Sequence, residues 1–110
     1  MYKVKILLDE AKIDEVGEYS IENIRNTIIS NFTKVHLPQI KTDDNSLVFR
    51  TINDDREYGV MWSLIMDLYK RDWFRPYLLK YEWYSNREND DGSWYKEDLI
   101  EEYKRMRYCE

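Results

Sequence analysis

Cysteine, histidine and glycine are scarce in this chain of 110 residues, and each scarcity excludes a class of chemistry. The single cysteine, Cys109, has no partner for an internal disulfide, and with the single histidine, His36, it cannot complete a tetrahedral zinc site. A thiol mechanism would need the same two residues, and Cys109 is penultimate, where chain ends fray. Three glycines are too few for a dinucleotide fingerprint or a phosphate-binding loop. We therefore expect no metal and no cofactor.

Acidic residues outnumber basic ones, 22 against 17, which gives a formal net charge of −5. With 43% hydrophobic residues, the chain has the composition of a globular protein and not of a disordered, collagen-like or membrane-spanning one. At this length one core is feasible without disulfides, so we predict a single domain over residues 1–110. The first apolar run is too short for a signal peptide, and we expect a cytosolic protein that does not enter a membrane.

Amino acids with AT-rich codons are favoured in this sequence. Tyrosine occurs 10 times, against 3 glycines and 2 prolines. We interpret this bias as that of a low-GC bacterium, or of a phage or mobile element living in one, a hypothesis that the codon usage of the gene would test.

Hydrophobic periodicity predicts a strand and then a helix in the first third of the chain. Side chains in residues 2–8 alternate between apolar and polar, as in a half-buried strand. The acidic stretch 9–19 is predicted to be a loop. Ser20 offers an N-cap oxygen, and apolar residues at three- and four-residue spacing then predict an amphipathic helix over 20–33.

Two short strands are predicted next, at residues 35–37 and 47–52. Turn-forming residues at 41–45 join them. Pro38 cannot donate to a ladder, which predicts that the first strand lies at an edge of the sheet or at a bulge. Strand alternation would place His36 on the polar, solvent-facing side, so we interpret it as a surface histidine and not as a base or ligand.

The second half begins with the clearest helical pattern of the chain, at residues 53–71. Gly59 weakens this prediction, and residues 56–60 could instead extend a hairpin. Alternating residues 79–84 predict another strand, and Ser93 is predicted to cap a last helix.

The resulting order, β-α-β-β-α-β-α, predicts an α+β fold. Its first six elements match the ferredoxin-like arrangement, a four-stranded antiparallel sheet with both main helices on one face, here with an added C-terminal helix. The charged alternate positions Lys3, Lys5, Lys80 and Glu82 fit a solvated second face.

Aromatic residues are concentrated in the second half of the chain. Most are expected in the core, but the surplus is predicted to anchor a partner, because Trp and Tyr dominate interface hot spots. The candidate partner-binding residues are Trp73, Tyr77, Tyr84, Trp94 and Tyr95. We therefore predict an interaction module, whose partner is another protein or a second copy of the chain.

Two acidic stretches suggest a second hypothesis. The candidate acidic patch consists of Asp9, Glu10, Asp14, Glu15, Glu18, Asp90 and Asp91. Carboxylates on a rigid scaffold could occupy the basic groove of a nucleic-acid-handling protein, as an inhibitor or nucleic-acid mimic. The same charge makes nucleic acid an unexpected partner for the chain itself, since the pI is near 5.0 and the local basic cluster is limited to Lys104, Arg105 and Arg107.

The acidic loops do not form a recognisable metal or catalytic motif. Residues 89–92 with Asp98 approach a calcium-loop pattern only if Arg87 took the first position, where an acid is required. Asp54 and Asp55 are interpreted as first-turn acids of a helix. No motif places two acids across a cleft, so a hydrolase with paired carboxylates is the third hypothesis and we name no catalytic residue.

Overall fold

Strands and helices form an α+β structure in the computed structural model, which describes residues 1–86 and 93–108. The strands are β1 (Tyr2–Leu8), β2 (Gln39–Ile40), β3 (Leu47–Arg50), β4 (Leu78–Ser85) and β5 (Tyr95–Asp98). The helices are α1 (Glu10–Val16), α2 (Ile21–Thr33), α3 (Asp54–Tyr69) and α4 (Leu99–Tyr108), with a 3₁₀ turn at Arg75–Tyr77. All neighbouring strands are antiparallel, in the order β2-β3-β1-β4-β5. The prediction of an α+β fold with an antiparallel sheet is therefore confirmed.

The prediction of four strands is wrong, because the described residues form a fifth, β5, where we expected the start of a helix. Lys96 lies opposite Tyr84 in this strand and bonds to Glu82 on β4, a cross-strand ion pair that favours the extended form. The helix begins later, at α4. Its cap is Asp98 and not Ser93, since Asp98 Oδ1 accepts the backbone N–H groups of Ile100 and Glu101.

The predicted loop over 9–19 is also wrong, because α1 occupies most of it. Asp9 caps the helix by accepting the Lys12 N–H at 3.1 Å, and Gly17 ends it at φ 71°, donating its N–H to the Ile13 oxygen. Ile13 is the one buried side chain of α1. A single buried residue leaves no hydrophobic period to detect, although both capping residues were visible in the sequence.

A turn replaces the strand predicted at residues 35–37. His36 is exposed, as predicted, but it has φ 65°, which ends any extended run, and the Leu37 N–H donates to the Phe32 oxygen at the end of α2. The strand β2 begins only after Pro38 and lies at a sheet edge, one of the two positions that the proline allowed.

Both long helices pack on the face of the sheet that carries Val4 and Ile6. Phe49, opposite Val4, stacks on Phe32 of α2 with ring centroids 4.2 Å apart. Tyr81, opposite Ile6, donates its buried hydroxyl to the Ile65 oxygen of α3 at 2.7 Å. Within residues 1–86 and 93–108, no helix combines the length and the apolar character needed to cross a membrane.

The region 56–60, for which helix and hairpin were both open, belongs to α3. Asn53 Oδ1 accepts the Arg56 N–H, and the buried Glu57 accepts the N–H groups of Ile52 and Asn53. Together these bonds satisfy donors at the start of the helix, which offsets the low helix propensity of Gly59.

Replacing Gly59 with alanine should stabilise the fold by about 1 kcal/mol, because a Cβ there meets nothing within 4 Å and Gly is a poor helix former. Gly17→Ala should have the opposite sign and cost about 1 kcal/mol, because its φ of 71° is left-handed. Urea unfolding of both variants measures the difference. Equal signs for the two would contradict this account of the helix ends.

Candidate interaction surface

Two of the predicted partner-binding rings lie just before β5 and on its first residue, and both are exposed. Trp94 is 40% and Tyr95 is 45% exposed. Trp94 lies on the face away from the helices, where the Lys3 ammonium is 3.9 Å from its ring centroid. Tyr95 lies opposite Ser85 and therefore on the helix-bearing face. Tyr84 is half-buried beside Trp94, with its hydroxyl donating to Glu82 at 3.0 Å.

The other two predicted rings belong to a different surface. Tyr77 is only 5% exposed and packs edge-on against Tyr19, with centroids 6.1 Å apart. Trp73 is half-buried and lines a shallow cleft with Glu18 and Tyr19 beside the start of α2. The structure therefore does not bring the five predicted rings together, and the burial of Tyr77 leaves it little contact area for a partner.

A groove between α3 and α4 contains apolar residues that the sequence analysis did not single out as a site. Its cavity measures about 330 Å³ and is lined by Trp62, Met66, Glu97, Leu99, Glu102 and Tyr103. Trp62 packs on Trp83 of β4 with centroids 4.7 Å apart, and Tyr103 stacks on Tyr69 at 3.9 Å. The sequence of α3 contains a signal for this groove, since Tyr58, Trp62 and Met66 are spaced four residues apart and share one side of the helix.

Two polar atoms beneath the groove are buried without a hydrogen-bond partner among the described residues. They are Trp62 Nε1 and the Tyr103 hydroxyl oxygen. Burial, and next the neighbouring Tyr69, raises the pKa of Tyr103 to about 12, so this hydroxyl stays protonated. Unpaired buried donors cost free energy, which makes this the least satisfied part of the described core.

The described members of the candidate acidic patch differ in their surroundings. Asp9 caps α1, while Glu10 pairs with Arg25 and accepts a hydrogen bond from the Asn45 amide. The exposed members are Asp14, Glu15 and Glu18. Asp90 and Asp91 lie outside the described residues, as does the calcium-like segment 89–92, and Asp98 is engaged as a helix cap. Among the described residues no three Asp, Glu, His or Cys side chains form a potential metal site.

A buried carboxylate organises the sheet face opposite the helices. Glu82 is 6% exposed, and its two oxygens accept the Lys96 ammonium at 2.8 Å and the Tyr84 hydroxyl at 3.0 Å. Burial alone would raise the pKa of Glu82, but these two hydrogen bonds and the positive charges of Lys96 and Lys80 together outweigh it, so the pKa is lowered. The charged pair therefore fixes the position of Tyr84 beside Trp94.

The chain matches no protein-family model, no curated protein and no solved structure. What it does must therefore be inferred from the surfaces just described.

Replacing Lys96 with methionine should raise the pKa of Glu82, since burial is then opposed only by the Tyr84 hydrogen bond and the charge of Lys80. In the natural chain, a depressed folded pKa contributes stability above the unfolded value of about 4.3, and this is lost as the pH falls through the folded pKa. The variant should therefore lose stability near neutral pH, and this loss should disappear as the pH falls below the lowered folded pKa of Glu82 in the natural chain. NMR titration of the Glu82 carboxyl carbon and denaturant unfolding measure both effects.

Lys80→Met is the matched control, because Lys80 is on the same strand and face but does not bond to Glu82 among the described contacts. It should change the pKa of Glu82 far less. A Glu82 pKa that is equally insensitive to both changes would contradict the role given to Lys96.

Proposed function

We propose that this chain is a protein-interaction module that binds its partner through the groove between α3 and α4. The observation that carries the proposal is the exposure of large apolar side chains around that groove. Tyr58 is 47% exposed and Met66 42%, beside a cavity of about 330 Å³. Contiguous exposed apolar surface on a small protein favours an interaction site, and aromatic anchors supply most of the binding energy at such sites.

The aromatic residues under the groove pack on one another and on the central strand of the sheet. Trp62 packs on Trp83, and Trp83 in turn stacks on Tyr2 of the central strand with centroids 5.1 Å apart. The ring centroids of Tyr58 and Tyr2 are also 5.1 Å apart. Tyr58 therefore lies at the end of the groove where Tyr95 of β5 is found, opposite Ser85. Rigid rings lose little conformational entropy on binding, so they favour affinity.

The rim of the groove indicates what the partner carries. Glu97 and Glu102 line the cavity beside its apolar side chains, and Glu102 pairs with Arg105 of α4. We therefore expect a segment that places an apolar side chain in the cavity, where Trp62, Met66 and Leu99 supply the contact area. A homodimer through the same groove is the alternative form of the proposal.

A hydrolase is the second candidate, because two carboxylates line the same cavity. Glu102 is already engaged with Arg105, with Oε2 to Nη1 at 3.6 Å. The apolar walls support the interaction module more than they support hydrolysis, which needs both carboxylates directed at one bond.

The proposal is tested with a photo-crosslinking amino acid placed at Met66 in the cells that naturally produce the chain. The expected result is a discrete adduct, which Tyr58→Ala weakens because it removes an exposed ring from the same surface. Val60 is the matched control position, since it is an exposed apolar residue (37%) of α3 pointing away from the groove.

An adduct of twice the chain mass would identify the homodimer. Equal crosslinking from positions 60 and 66, or none from 66, would refute the proposed surface.

We infer, in addition, that β1 to β4 with α2 and α3 form a ferredoxin-like unit to which α1, β5 and α4 are additions. The support is the order β2-β3-β1-β4, with α2 between β1 and β2 in the chain and α3 between β3 and β4. An experimental structure with a different strand order would exclude it.

A further inference from the structure

The face of the sheet opposite the helices gathers basic residues from four strands. Register places Arg50 and Tyr84 on either side of Lys3, and Lys80 beside Leu7. Residues that are directly opposite share a face, and alternate residues of one strand do too. The basic residues of this open face are Lys3, Lys5, Arg50, Lys80 and Lys96.

The acids on or beside the open face are neutralised or turned elsewhere. Lys96 pairs with Glu82 at 2.8 Å, and Lys5 pairs with Asp44 at 3.2 Å. Asp98 directs an oxygen to the start of α4. Among the residues that the structure describes, Lys3, Arg50 and Lys80 form no ion pair, so the face is positive although the whole chain is at −5.

Two aromatic rings, those of Trp94 and Tyr84, lie beside these cations. The Lys3 ammonium is 3.9 Å from the Trp94 centroid and 5.6 Å from that of Tyr84. Trp94 is 40% exposed, and Tyr84 is fixed by its hydrogen bond to Glu82. Cations interleaved with aromatic rings on a flat surface are what a flexible, negatively charged strand of nucleobases needs.

We propose that the open face binds single-stranded nucleic acid, with Lys3, Arg50 and Lys80 contacting phosphates and Trp94 stacking on a base. An acidic polypeptide could use the same cations, but it has no flat π-surface to place on Trp94. The expectation against nucleic acid was based on net charge and on the lack of a local basic cluster in sequence. Here the cluster is assembled from residues 47 and 77 positions apart from Lys3, which no local pattern reveals.

The test measures binding of a fluorescein-labelled oligothymidylate of about 12 nucleotides, a length within the usual site sizes. Binding should weaken as salt rises from about 50 to 200 mM, with a log–log slope of about −2 for three phosphate contacts on a single strand. Arg50→Gln and Lys80→Gln should each reduce the size of the slope by about 0.7. Lys34→Gln and Lys70→Gln, exposed lysines at the ends of α2 and α3, should leave it unchanged.

The stacking contact is tested separately. Trp94→Ala should weaken binding about fivefold or more while leaving the salt slope unchanged, because a base–ring stack is worth about 1–3 kcal/mol and involves no phosphate. Tyr95→Ala is the matched control, since Tyr95 follows Trp94 directly but its ring lies on the other face of the sheet. It should leave oligonucleotide binding intact. Circular dichroism confirms that each variant is folded.

Several outcomes would overturn the proposal. They are no binding at the lowest salt, an equal effect of the control lysines, or equal competition by polyglutamate together with no effect of Trp94→Ala. The last result would assign the face to an acidic polypeptide. None of these results bears on the groove between α3 and α4, which lies on the other side of the sheet.

Discussion

The register of the central strand β1 is the constraint on which both surfaces depend. Val4 and Ile6 are fully buried, while Lys3 and Lys5 between them point to the opposite face. Because side chains alternate with a period of two, a slip of one residue would exchange these sets and bury two lysines. Desolvation already lowers the pKa of Lys3 at its present, partly covered position. The hydrophobic core thus also fixes where the cations lie.

The sequence predicted the elements that have a strong hydrophobic period. β1, α2, α3 and β4 all contribute several buried side chains, and each was predicted in nearly its observed place. The elements that were predicted wrongly are short. α1 buries only Ile13, and β2 has two residues, so neither has room for a period. β5 was missed because its alternation, Tyr95 to Asp98, is almost wholly polar, and the cross-strand pair that stabilises it involves a residue far away in sequence.

The candidate surfaces were harder to predict than the fold. Exposed rings were expected near residues 94 and 95, and they are there. The sequence could not show that Tyr77, unlike these two rings, is buried. The burial of a tyrosine depends on neighbours such as Tyr19 that approach only in three dimensions. The groove forms only because α4 lies beside α3, and the basic face forms only because of the order of the strands in the sheet. A pattern within one segment contains neither kind of information.

Asp98 has a structural consequence, because it is both the last residue of β5 and the cap of α4. No linker separates the strand from the helix. The residues just before Asp98 include Trp94 and Lys96 of the open face, and those just after it include Leu99 and Tyr103 of the groove. Two surfaces on opposite sides of the sheet are therefore built from one short, continuous stretch of chain.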